Sequence, residues 1–281
     1  MFDHLWPLGQ PWRPALECWT LLAALAARAA HLSAATAVAA PGEAARFRLG
    51  TLVTRAGLRP PALLAHMAAT VGEVAGAPPI VGIGTGDAAN RQENQAFGLP
   101  YHADPALRAA SLVRAVAALR GPLAGRPGPA VWVGGSSRRA RGLAGRLGDA
   151  WNGWGLGPDE LAAGLAEARR AAEGAGRDPA AVAGTWAGQV LVGEDAGQAR
   201  ALVERWGAER PPGEVASVVA GDADAVARRL AELGEAGARW CVLAMVGGSG
   251  AAMRSLLAET CGLPGNGNQD ICQQAHTNAS F

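Results

Sequence analysis

From Arg46 onward the chain repeats one unit: a short apolar run, a turn, then a segment with apolar residues at i, i+3 and i+4. The runs are RFRLGTLV, PIVGIGT, AVWVGG, DAWNG, GTWAGQVLV and ARWCVLAMV. Between them, PPALLAHMAATVGEV, PALRAASLVRAVAALR and PDELAAGLAEARRAAEGAG open on prolines, while DAGQARALVERWGAE and DADAVARRLAELGEAG open on an aspartate cap. Short apolar strands separated by helices pack as a parallel sheet covered on both faces. That leaves a doubly wound sheet or a (β/α)8 barrel. Six strands are two short of the barrel.

Length and composition agree with one large α/β domain. The chain has 281 residues, 49% of them hydrophobic and 17% charged, which is globular rather than disordered. Its formal charge is +1, and every basic residue is arginine. So dispersed and neutral a balance excludes an electrostatic footprint for nucleic acid or an anionic membrane. The four cysteines, Cys18, Cys241, Cys261 and Cys272, are scattered with no CxxC pair, so neither a metal site nor a disulfide framework is expected. A reducing, cytoplasmic setting fits. Residues 15–40 are apolar, but they are nearly half alanine and carry Glu17, Arg28 and His31, which argues against a membrane span or a signal peptide. Pro14 to about Ala30 reads as a helix with proline at its first position. Residues 31–45 read as a loop or insertion, and 263–281 as a poorly ordered tail.

One turn has the makings of a binding site. In VWVGGSSRRARGLAGRLGDAWNGW, residues 131–154, Val131–Val133 form a buried strand, Gly134 and Gly135 clear side chains from the turn, and Ser136 or Ser137 can cap the helix that follows. Such a turn presents free backbone N–H groups with a helix dipole behind them, which suits a phosphate. An ordinary βα turn that binds nothing has the same residues, so both readings stay open.

Several runs, in this order, resemble the bacterial luciferase-like family of flavin- and deazaflavin-dependent oxidoreductases. They are FDHLWPLG (2–9), ALECWTLLAALAA (15–27), RLGTLVTRAGLRPPALLAHMAATV (48–71), VGIGTGDAANRQENQAFGLPY (81–101), the 131–154 stretch and ARWCVLAMVG (238–247). The resemblance implies a (β/α)8 barrel of TIM type over residues 1–262, with the flavin across the C-terminal mouth of the strands. It implies an oxidoreductase or monooxygenase acting on a small organic substrate by hydride transfer or oxygen activation. The cofactor would be coenzyme F-420, with FMN as runner-up, and no metal. Partners beyond the substrate are not indicated, with a homodimer left open. A flavin-binding module without turnover and an inactive incomplete barrel are the alternatives.

Carried over residue by residue, Gly134, Gly135, Ser136 and Ser137 would hold the cofactor phosphate. Leu52, Val53 and Thr54 sit where the family presses an irregular, often bulged strand end against one face of the isoalloxazine ring. Thr85, Gly86, Asp87 and Asn90 fall on the loop after the next strand, with Asp87 as an acid or base, or simply a helix cap. His4, flanked by Asp3 and Trp6, falls where the family places an imidazole near the reactive ring. A lone histidine is also commonly structural. The chain departs from the family at its beginning: Met1–His4 stand where the family already has a strand, a helix and a second strand behind it. A barrel without its first βα unit and second strand is therefore expected, open at two edges and prone to aggregate.

Overall fold

The computed structural model describes residues 1–7, 10–39, 48–125, 127–262 and 275–277. After α1 (Cys18–Ala39) come β1 (Gly50–Arg55), α2 (Pro61–Ala75), β2 (Ile80–Gly84), α3 (Asn90–Ala96) and α4 (Pro105–Leu119). The middle of the chain forms β3 (Ala130–Gly134), α5 (Arg138–Leu147), β4 (Ala150–Trp154), α6 (Pro158–Glu173) and β5 (Ala183–Val192). There follow α7 (Ala196–Gly207), α8 (Pro212–Ser217), β6 (Val219–Gly221), α9 (Ala223–Glu235), β7 (Ala238–Gly248), α10 (Gly250–Gly262) and β8 (Ala275–Thr277).

Every strand pairing is parallel, in the order β1-β2-β3-β4-β5-β7-β8. The short β6 shares an edge of β5 with β4: β4 pairs with Ala183–Ala187, and β6 with Val190–Val192. Alternation sorts the strand residues into two layers. Val81, Ile83, Val131, Val133, Trp151 and Trp186 point outward into the helices and are buried with α-helical leucines and alanines. Leu52, Ile80, Trp132, Ala150 and Ala187 point inward and form a second cluster. The inner layer shows how far the sheet curls. Trp132 on β3 meets Trp240 on β7 with ring centroids 5.9 Å apart, although β4 and β5 lie between those strands. Among the described residues β1 and β8 do not pair, so the architecture is a curled half-barrel of the TIM-like kind. Helices cover its outer face.

Three expectations change. The first helix starts at Cys18 rather than at Pro14, because the Glu17 carboxylate accepts hydrogen bonds from the Trp19 and Thr20 amides, at 3.2 and 2.7 Å, and so serves the free first-turn donors. That helix runs on to Ala39, through most of the expected insertion. Residues 31–39 contain no proline or glycine and are rich in alanine, the strongest helix former. Two strands beyond the six appear, the three-residue β6 and β8. Residues 275–277 of the expected tail pair with Leu243–Met245 of β7. The remainder of that tail lies outside the described residues.

Close packing beside the sheet depends on one glycine. A Cβ on Gly145 would stand 2.0 Å from the Ala168 carbonyl oxygen, so α5 can lie directly against α6 only because that position has no side chain.

Candidate active site at the C-terminal edge of the sheet

All strands run the same way, so the ends of β1, β2 and β3 share one edge, and the loops leaving them gather there. β1 is irregular at this edge. Its register with β2 shifts between Thr51 and Thr54, and the Leu52–Val53 peptide is cis. The irregularity carries the Val53 side chain over two neighbouring strands. A Cβ on Gly84 or on Gly134 would meet a Val53 methyl at 2.8 Å, so glycine on β2 and on β3 is what admits it. Leu52 lies beneath, in the inner cluster. The result is an apolar backing wall at the mouth of the half-barrel, built on three strands.

The N-terminal segment crosses the outer end of β1. Met1 pairs with its edge, accepting from the Leu52 amide at 2.6 Å and donating to the Gly50 carbonyl at 2.8 Å. Asp3 is buried and fully engaged. It accepts from the Thr54 hydroxyl and, in bidentate fashion, from Arg59 at 2.5 and 3.1 Å. Thr54 in turn accepts from the Trp19 indole at 3.3 Å. Arg59 also binds Glu17. Burial opposes its charge, yet the hydrogen bond and charge of Asp3, helped by Glu17, raise its pKa above the ordinary arginine value. Asp3 and Thr54, both expected near the cofactor, thus sit in a buried lattice that fixes the chain just before His4.

His4 itself is partly exposed, with Nδ1 3.1 Å from a carboxylate oxygen of Glu93 on α3. The other oxygen of Glu93 accepts the Leu5 amide. Glu93 is 2% exposed and forms an ion pair with Arg55 at 3.2 Å. Burial pulls the Arg55 pKa below the usual arginine value, against the pull of the Glu93 and Asp3 charges. With Nδ1 facing a carboxylate, the proton belongs on Nδ1 and Nε2 is left to act. Trp6 is buried between Trp12 and Phe97, at centroid distances of 5.2 and 5.8 Å.

On the loop after β2, Gly86 has a positive φ of 69°, and Asn90 Oδ1 accepts the Asp87 amide at 2.9 Å. Thr85 donates to the Gly86 carbonyl at 3.1 Å. Asp87 is exposed, and its Oδ1 accepts the Ala89 amide at 2.9 Å, a turn-forming role. It makes no direct bond to His4. After β3, Gly135 has φ 131°, and Ser137 is the N-cap of α5, accepting from the Ala140 amide at 3.1 Å. Gly135 to Arg139 are exposed, so the first-turn amides of α5, beside Arg138 and Arg139, open to solvent.

Glu93 and Arg55 were not singled out by their residue types alone. A signal exists: Asn90, Glu93 and Asn94 stand at i, i+3 and i+4 on the buried face of α3, where apolar residues are the norm.

A parallel sheet curled on itself, with helices outside and polar side chains gathered at the strand ends, defines a TIM-like α/β enzyme scaffold. Within that class the chain belongs to the luciferase-like monooxygenase family, whose sequence profile matches residues 39–240. The profile match begins after the Asp3–Trp6 stretch. Among curated proteins the chain is similar to the phthiodiolone/phenolphthiodiolone dimycocerosates ketoreductase of Mycobacterium sp. (strain JLS), 30% identical over 190 residues. That alignment covers 59% of this chain and 46% of the ketoreductase, so the chain spans about half the length of the curated relative it matches. Among solved structures it resembles an F-420-dependent secondary alcohol dehydrogenase in complex with an F-420–acetone adduct. The TM-score is 0.67 and the identity 18%, over 92% of this chain and 87% of that one. EDTA monooxygenase from Chelativorans sp. BNC1 gives a TM-score of 0.66 at 17% identity, over 93% and 81%. At such identities these structures speak for the fold. Among the described residues no cluster of histidine, cysteine, aspartate and glutamate could hold a metal, and no helix is long and apolar enough to cross a membrane.

Proposed function

We propose that the C-terminal edge of this sheet binds a deazaflavin, coenzyme F-420, and that the protein is an oxidoreductase moving a hydride between it and a carbonyl or secondary alcohol. The observation that carries this is the wall made by Val53 over Gly84 and Gly134. A flat tricyclic ring needs an apolar backing on one face so that only the other is open to substrate, and a Cβ at either glycine would displace that backing. The turn at Gly134–Ser137 suits the cofactor phosphate, with its open α5 amides and adjacent arginines. The ketoreductase and alcohol dehydrogenase relatives favour carbonyl chemistry, and the GTGDAAN loop favours F-420 over FMN.

A bound deazaflavin supplies two-electron hydride chemistry. The chain supplies the rest. His4, held through Nδ1 by Glu93, places Nε2 to give or take the proton at the substrate oxygen. Trp6, two residues on, is buried against Trp12 and Phe97 and anchors the segment that carries His4. Asp87 lies on the turn that Asn90 closes and shapes the loop edge.

The test is retention of cofactor. The protein is incubated with F-420 or with FMN, freed of excess by gel filtration, and its absorbance spectrum recorded. Stoichiometric F-420 is the expected outcome. FMN alone would reassign the cofactor, and neither would overturn the reading in favour of an inactive barrel.

A further inference from the structure

Behind the loop that leaves β2 lies a small pocket lined by Arg55, Thr85, Asp87, Asn94, Arg108 and Ser111, among others. Two of its cations are incompletely partnered. Arg55 is 7% exposed. Its Nη1 serves Asn94 at 2.6 Å and Glu93 at 3.2 Å, but Nε and Nη2 are buried with no acceptor. Arg108 Nη1 donates to the His102 and Ala103 carbonyls at 2.9 and 2.8 Å, and its guanidinium lies 5.9 Å from the centre of the Tyr101 ring, yet its Nε is likewise buried without an acceptor. Buried N–H groups are almost always paired, and these three, on two side chains that line one pocket, have no acceptor within the protein.

The two free groups of Arg55 define the chemistry. Nε–H and the neighbouring Nη2–H point the same way from one edge of the guanidinium, the fork that a carboxylate meets with both oxygens. The fork cannot turn away, because Nη1 is pinned by Asn94 and Glu93. Asn94 is itself fixed, its Nδ2 donating to the Pro100 carbonyl at 2.6 Å. Asp87 does not fill the role, since its Oδ1 accepts from the Ala89 amide at the rim. The neighbouring polar groups are otherwise occupied: Ser111 donates to the Leu107 carbonyl at 3.1 Å and accepts from Arg114 at 3.0 Å. The space is small, about 30 Å³, and suits a carboxylate head. Glu93 pairs with Arg55, and an incoming anion would meet Arg108 with the exposed Asp87 carboxylate beside it at the rim.

We infer that this pocket is a carboxylate-binding subsite, in which Arg55 grips both oxygens of a ligand carboxylate through Nε and Nη2 and Arg108 Nε supplies a third hydrogen bond. The inference rests on the functional reading above only for what carries the carboxylate. Its place beside the Thr85–Asn90 loop puts that group at the edge of the proposed cofactor and substrate site.

The experiment uses the full chain without any cofactor, so that its failure and a failure to retain F-420 are separate results. The Nε–H resonances of Arg55 and Arg108 are followed in ¹⁵N–¹H spectra while sodium acetate is added, with sodium chloride at matched ionic strength and inorganic phosphate as comparisons. Acetate should give a saturable shift of both resonances, at an affinity at least about tenfold above that for chloride or phosphate. Arg108→Gln should weaken acetate binding by about fivefold or more, read on Arg55. Arg55→Lys, which keeps the charge and loses the fork, should abolish the response at Arg108. If Arg55→Lys does not fold, Arg108→Gln decides, because that side chain is partly exposed and pairs with no buried charge. No saturable shift would mean a site filled by water only. Equal shifts with chloride or phosphate, or acetate binding unchanged in Arg108→Gln, would likewise overturn the assignment.

Discussion

Glu93 does two jobs with one buried carboxylate: it orients His4 and neutralises Arg55. Glu93→Gln would keep the shape and remove the charge, leaving the buried Arg55 guanidinium without its ion-pair partner. A broken buried pair of this kind costs about 3–5 kcal/mol, which urea denaturation of parent and variant would register directly. A change below about 1 kcal/mol would show that water reaches Arg55. At the same scale, burial pushes the thiols of Cys18 and Cys241 up to about 12. Both should resist N-ethylmaleimide at pH 8 in the folded protein and react once it is denatured, as peptide mapping by mass spectrometry would show. The linkage has a definite sign. Each thiol holds its proton more firmly in the folded state, so its contribution to stability is intact below the unfolded thiol range and is lost as pH rises toward 12.

The end of β1 works as a unit with the glycines of β2 and β3. Gly134→Ala would drive a Cβ into a Val53 methyl, and a β-branched side chain has little rotamer freedom with which to yield. We expect Gly134→Ala to lower cofactor affinity, and Val53→Ala in the same chain to recover part of it, with a coupling of about 0.5–3 kcal/mol in a double-mutant cycle. Additive effects would mean that the wall does not touch the cofactor. The α5 turn permits a parallel test. Ser137 caps the helix through Ala140, so Ser137→Ala alone should cost about 1 kcal/mol of stability whether or not anything binds. Ser136→Ala leaves that cap in place and should weaken cofactor retention by about 1 kcal/mol if its hydroxyl meets the phosphate. Fluorescence titration separates the two effects.

At the scale of the molecule, the curl of the sheet is what turns a row of strands into a mouth. Trp132, 7% exposed, reaches Trp240 across two intervening strands and fills the interior that the strands enclose. Trp132→Ala should cost about 3–5 kcal/mol and, because the interior supports the wall above it, reduce cofactor retention as well. Thermal unfolding and absorbance on the same sample would check both. Loss of stability with full retention would detach the interior packing from the site.

Much of this was legible in the chain itself. The βα alternation from Arg46 specifies parallel strands because period and length are local properties, and the Gly134–Ser137 turn declares itself through cap and glycine chemistry that acts within a few residues. The irregular end of β1 at Leu52–Thr54 came from family resemblance, and its register shift appears in the structure. What only the tertiary structure decided involves residues far apart in sequence. Glu93 meets His4 across 89 positions and Thr54 meets Asp3 across 51. Neither spacing nor composition encodes such pairings, since they depend on which helix face the packing turns inward. The short β6 and β8 were missed for a related reason: three residues hold no readable period, and a parallel neighbour, β5 or β7, is what makes them strands. The first helix erred the other way. Its alanines carried it past the expected loop, while the Glu17 side chain, not proline, set its start. Local chemistry fixed the elements and the capped Gly134–Ser137 turn. Burial of charge against charge at the strand ends, which requires the fold to exist first, fixed the candidate site.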